Sequence, residues 1–119
     1  MESNTLKGKK GEDIACDFLQ DKNYEILERN YRNGRDEIDI IAFAQGTVAF
    51  VEVKYRENDK YGLPEESISS EKMERLAACA KAYMMDANKN FPNKRFDVIS
   101  ILKLKDSYDI THFEDAFWP

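Results

Sequence analysis

Asp39 and the triplet Glu52-Val53-Lys54 stand inside two otherwise apolar segments, and they form the part of this 119-residue chain best equipped for chemistry. Two carboxylates and an ammonium suit phosphodiester hydrolysis. That reaction needs a hard divalent cation to polarise a phosphoryl oxygen and to lower the pKa of an attacking water. Mg²⁺ takes few carboxylates and keeps positions for water and phosphate oxygens. Asp39 and Glu52 have the ligand chemistry for Mg²⁺ or Mn²⁺. Lys54 is a compact cation suited to orienting the water or offsetting charge in the transition state, and Glu12 could position a water or bind a second metal.

The elements that must position these groups follow from composition and turn chemistry. Residues 37–42 and 48–55 are rich in β-branched and aromatic types and read as strands, with Gln45-Gly46 as the turn between them. A two-residue loop pairs Ala44 with Thr47, and counting outward sets Asp39 opposite Glu52 and Glu37 opposite Lys54. Opposed residues share a face with Cβ atoms roughly 5 Å apart, so the two carboxylates repel unless a proton or cation lies between them. A bulge would throw Asp39 to the other face. Glu12 belongs to a predicted helix running from about Thr5 or Gly8 to Asp21, on the margin of the stripe Ile14, Ala15, Phe18 and Leu19.

Residues 24–32 read as a further strand, followed by an Asn33-Gly34 signal for a type I′ hairpin. Residues 57–69 form a polar connection containing Gly62 and Pro64, a candidate substrate-binding loop. A second helix begins after Ser69 or Ser70 and carries Met73, Leu76, Ala77, Ala80, Tyr83 and Ala87 on one face. Residues 95–102 make a strand apolar enough for burial on both faces, and residues 108–113 a weaker last strand. A helix crossing between the third and fourth strands favours parallel pairing there. The expectation is one α/β domain over residues 1–119, with a mixed sheet of about five strands flanked by helices.

The formal net charge of −5 works against indiscriminate nucleic-acid binding, which needs a basic surface to release counterions. Basic residues nevertheless cluster locally: Lys7, Lys9 and Lys10; Arg29, Arg32 and Arg35; Lys54 and Arg56; Lys72 and Arg75. Lys9, Lys10, Arg32, Arg56 and Lys72 are the candidate DNA contacts. The alternative for Lys9 and Lys10 is a solvated N-terminal segment, and for Lys72 an exposed helix lysine. Asp97 beside Arg95 reads as a structural ion pair or cap, and His112 as a surface or packing residue. Cys16 and Cys79 read as buried free thiols. The start of the chain lacks the apolar stretch of a signal peptide, and no run is long enough to span a bilayer. The expected location is the cytoplasm, with no membrane partner.

Gly8-x-x-Gly11-Glu12, Asn30-Tyr31-Arg32, Glu37-Ile38-Asp39-Ile40-Ile41-Ala42, Phe50-Val51-Glu52-Val53-Lys54-x-Arg56, Lys72 and Arg95-Phe96-Asp97-Val98 together resemble the YraN-like family of bacterial proteins. That family is similar to archaeal Holliday-junction resolvases and to the restriction-endonuclease-like PD-(D/E)XK group. The resemblance implies a three-layer α/β/α core with Glu12, Asp39, Glu52 and Lys54 at the site. It departs from the family pattern at Asp36, where glycine is usual. The expected function is a Mg²⁺- or Mn²⁺-dependent endonuclease on structured DNA, such as a branched repair or recombination intermediate, acting as a homodimer on a two-fold substrate. The alternatives are a non-catalytic nucleic-acid-binding or protein-interaction module with the same fold, and a domain whose charged cluster is only an ion-pair network.

Overall fold

The computed structural model describes residues 4–57, 69–86 and 91–117. Its elements are α1 (Asn4–Asp21), β1 (Glu25–Asn33), β2 (Asp36–Ala44), β3 (Thr47–Arg56), α2 (Ser70–Asp86), β4 (Asn93–Lys103) and β5 (Tyr108–Phe113). The strands lie side by side in chain order in one sheet. All neighbours are antiparallel except β3 and β4, which α2 joins in parallel from Thr47↔Asn93 to Arg56↔Leu102. The candidate substrate loop falls almost wholly in residues 58–68, outside the described residues, as does Ala87.

Alternation along the strands sends side chains to two cores. Val48, Phe50, Phe96 and Val98 pack with Leu76, Cys79, Ala80 and Tyr83 of α2. Ala49, Val51, Ile99 and Ile101 pack with Ala15, Cys16 and Leu19 of α1. The chain is therefore a three-layer α/β/α domain, and β4 is buried from Phe96 to Ile101, as its apolar run requires. Both cysteines are free and buried.

Turn chemistry accounts for the hairpins. Gln45 and Gly46 both have positive φ, 50° and 79°, matching a two-residue turn that pairs Ala44 with Thr47. In the first hairpin Asn33 pairs with Asp36, so the loop is Gly34-Arg35, one residue later than the Asn33-Gly34 signal suggests. Only Gly34 in that loop has positive φ, the pattern of a type II′ turn rather than the expected I′. Ser69 caps α2: its Oγ accepts the Lys72 backbone N–H at 3.1 Å.

Gly11 brings α1 down onto β3. A Cβ at this position would lie 2.9 Å from Tyr55 Cβ, an atom fixed to the strand backbone. Helix propensity favours alanine over glycine by about 1 kcal/mol, but overpacking at a well-packed contact costs roughly 1–3 kcal/mol. Gly11→Ala is expected to lower stability in a urea titration; a gain would show that α1 and Tyr55 separate without cost.

Candidate metal centre in a forked sheet

The β2–β3 ladder runs from Ala44↔Thr47 to Ile40↔Val51 and stops. Beyond that point β2 stays with β1 as far as Asp36, and β3 stays with β4 as far as Arg56, so the sheet forks. Asp39 sits at the fork. Its Oδ2 accepts the Val53 backbone N–H at 2.8 Å, occupying a donor that a regular ladder would pair with backbone. The strand also changes face here: Ile38 packs in the α2-side core, but Ile40, two residues on, packs in the α1-side core. Strict alternation would put both on one face. On β1, Asn30 faces this irregularity between Arg29↔Ile40 and Tyr31↔Ile38, with φ of 53°. Asparagine tolerates that left-handed backbone better than other non-glycine residues.

This geometry corrects the expected pairing. Neither Asp39↔Glu52 nor Glu37↔Lys54 is a rung of the ladder. Glu37 instead pairs across β1 with Arg32, whose Nη2 lies 3.4 Å from its Oε2. The turn sets the register correctly, and the side chain of Asp39 ends it early.

Around the fork, ligand oxygens of Glu12, Glu37 and Asp39 all lie within 4.8 Å of one another. α1 carries Glu12 to this point, and Asn30 hydrogen-bonds its carboxylate. Glu12 Oε1 is buried without a hydrogen bond; Arg29 Nη2 is 3.8 Å away. Burial raises the Glu12 pKa against the opposing effects of Asn30 and Arg29. Burial also pushes Asp39 up to about 7, helped by the charge of Glu52, with the Val53 N–H pulling the other way. Glu52, only 8% exposed, has its Oε1 2.7 Å from Lys72 Nζ and 3.5 Å from Lys54 Nζ.

A cleft of about 310 Å³ opens here, with Arg35, Glu37, Asp39, Glu52, Lys72 and Arg75 in its wall. A larger groove of about 440 Å³ follows the edge strand β1 past Glu25, Glu28, Tyr31 and Asp86, away from these four acids. Size is a poor guide here, because the smaller cleft is the one that gathers opposed charges.

The residues present fit a hard divalent cation. The donors are carboxylate oxygens, the set that suits Mg²⁺ or Mn²⁺, and a buried Glu12 oxygen lacks a donor. Of the expected site residues, Glu12 and Asp39 converge directly, and Glu52 and Lys54 adjoin them. Glu37 belongs with them, whereas hairpin counting alone gives it only a pairing with Lys54. The signal was present in Asp36-Glu37-x-Asp39, three acids on a strand whose next residues, Ile40, Ile41 and Ala42, are fully buried.

The expected DNA contacts divide. Lys72 is not a plain exposed helix lysine, since it is half-buried on Glu52. Arg32 is 74% exposed beside Glu37. Lys9 is exposed, and Lys10 Nζ lies 5.9 Å from the centre of the Tyr108 ring. Arg56 lies at the far end of β3, half-buried. His112 proves to be a packing residue, its side chain 3% exposed against Asp97.

A family model described as uncharacterised protein family UPF0102 matches residues 11–101. A UPF0102 protein of Chlorobium limicola is 42% identical over 118 residues, spanning 93% of this chain and 91% of the relative. One from Chloroherpeton thalassium is 41% identical, spanning 98% and 97%, and one from Persephonella marina is 41% identical, spanning 94% and 93%. The matched region contains Glu12, Glu37, Asp39, Glu52, Lys54 and Lys72. Among the described residues no helix is long and apolar enough to cross a membrane.

Proposed function

The chain belongs to the uncharacterised protein family UPF0102, and from its site we propose a divalent-metal-dependent endonuclease that hydrolyses phosphodiester bonds in structured DNA. The observation that carries this reading is the convergence of Glu12, Glu37 and Asp39 beside Glu52 and Lys54 at the fork of the sheet. Oxygens of Glu12, Glu37 and Asp39 lie within 4.8 Å of one another, and a divalent cation would offset the repulsion among them. Asp39 and Glu52 would hold Mg²⁺ or Mn²⁺, with Glu12 and Glu37 binding it directly or through water. The cation would supply Lewis-acid activation of the phosphoryl group and a more acidic water.

The chain's own groups do the rest. Asp39 is fixed by the Val53 N–H, so one carboxylate oxygen is held and the other is left for the cation. Lys54 lies on the same strand face as Glu52 and would hold the attacking water or balance charge on the phosphorane-like transition state. Arg35 and Arg75 on the cleft wall would engage the DNA backbone. A branched substrate with two-fold symmetry suits action as a homodimer.

The net charge of −5 favours a second reading, a non-catalytic nucleic-acid-binding or interaction module. Incubation with a labelled four-way junction and a linear duplex of the same sequence separates the two. We expect the junction to be cut with Mn²⁺ or Mg²⁺ and not with EDTA. Glu52→Gln should be inactive with an unchanged circular dichroism spectrum. Junction binding without cutting at any metal concentration would favour the module; cutting that persists in Glu52→Gln would place the chemistry elsewhere.

A further inference from the structure

Two ammonium groups share one oxygen of Glu52, and they are built differently. Lys54 is two residues along the same strand, on the same face as Glu52, and its side chain is the less exposed of the two. Lys72 reaches across from another layer, and its Nζ makes the shorter contact, 2.7 Å against 3.5 Å. Its backbone is pinned in the first turn of α2 by the Ser69 cap, so the flexible stem is the part that can swing. The side chain is one-third exposed and belongs to the same cleft wall as Arg35 and Arg75.

We propose that Lys72 is a stand-in cation that couples metal binding to DNA binding. Without a divalent cation its ammonium neutralises Glu52; when one binds at Glu52 and Asp39 the ammonium is expelled and engages a phosphate of DNA entering the cleft. This rests on the metal-dependent reading above. The physical reason is competition: an ammonium and a divalent cation on one carboxylate oxygen repel strongly at contact distance in a partly buried site. The expelled group remains tethered beside the cleft, where a phosphate is its best available partner. Metal and DNA must then strengthen each other's binding by the same factor. A static Lys72–Glu52 bridge would also repel the cation, but it predicts that Lys72→Met keeps the metal-dependent gain in DNA affinity in full, so the DNA measurement separates the two.

The test uses the full chain as wild type, Lys72→Met and Lys72→Arg. Mn²⁺ calorimetry without DNA should show Lys72→Met binding about tenfold more tightly than wild type, with Lys72→Arg close to wild type. Fluorescence anisotropy on a four-way junction with Ca²⁺ should show wild-type affinity rising by about tenfold over EDTA, and Lys72→Met losing most of that gain. Unchanged or weaker Mn²⁺ binding by Lys72→Met, or no gain from Ca²⁺ in the wild type, overturns the proposal while leaving the metal site standing. No Mn²⁺ binding by any of the three overturns the metal reading and this coupling with it.

Discussion

Asp39→Asn is expected to abolish metal-dependent DNA cleavage and, in the metal-free protein at neutral pH, to raise stability. The two effects share one cause. Burial is the larger reason that Asp39 resists ionisation, and the charge of Glu52 is the second, with Glu12 and Glu37 adding to it. In the unfolded chain the same carboxyl has its ordinary value of 3.8, against about 7 in the fold. Between those values the folded state holds a proton that the unfolded chain has released. The stability contributed by this group is therefore fully present below about pH 4 and is lost as the pH rises through about 7. Asparagine removes the charge but keeps an oxygen for the Val53 N–H, so the fork stays pinned. Urea titrations of the metal-free proteins should show the variant gaining on the order of 1 kcal/mol at pH 8, with little difference at pH 4.5. A saturating divalent cation should stabilise the wild type, by about 2.7 kcal/mol at a hundredfold excess over Kd, and leave the variant unmoved. Activity should fall by more than about 10²-fold, since losing even an outer partner of a metal ligand costs that order. A less stable but active variant would remove Asp39 from the site.

The part of this site that was legible in the sequence is the part set by local chemistry. Gln45-Gly46 sets the hairpin register, the apolar run of β4 indicates burial on both faces, and the helix before it gives the parallel β3–β4 pair. Helical periodicity brings Glu12 to the margin of the α1 stripe, which is where it must be to reach the fork. What could not be read is where the ladder ends. That depends on Asp39 competing with the β2 backbone for the Val53 N–H, a tertiary contest between two groups that a residue pattern treats as equivalent. The grouping of Glu37 with Glu12 and the Glu12–Asn30 hydrogen bond follow from the same fork, so both were hidden with it. Lys72 was visible as a basic residue in a first helical turn, but its contact with Glu52 depends on how α2 sits over the sheet, which sequence spacing leaves open. Functional sites are where local rules are broken, and here the broken rule is strand alternation itself.

The largest loss of stability should come from a residue outside the cleft. Asp97→Ala is expected to cost about 3–5 kcal/mol, because it leaves the buried His112 side chain and the half-buried Arg95 without the acceptor they were folded around. Asp97 is fully buried in β4, on the face packed against α1. Arg95 donates to both of its oxygens, Nε to Oδ1 at 2.8 Å and Nη2 to Oδ2 at 2.9 Å. The Asp115 backbone N–H reaches Oδ1 at 2.9 Å, and His112 Nε2 lies 2.7 Å from Oδ2. Burial alone would raise the Asp97 pKa, but His112, Arg95 and the Asp115 N–H together hold it below the ordinary carboxylate value. Its sign is the reverse of that of Asp39: the stability it contributes is present above the unfolded-state pKa and is lost as the pH falls through the lower folded value. A domain of this length carries about 5–15 kcal/mol in all, so the substitution removes a large share of it and should lower Tm by about 15 °C. Asp97→Asn keeps the shape and one acceptor, and should fall between the two. Val51, the β3 neighbour of Asp97, immediately precedes Glu52, so the network also buttresses the strand that carries the site. Its role is nevertheless support: Asp97→Asn, where folded, should bind Mn²⁺ as the wild type does. A loss below about 1 kcal/mol in Asp97→Ala would show that the network is not needed for the fold, and lost Mn²⁺ binding in a folded Asp97→Asn would move Asp97 into the metal centre.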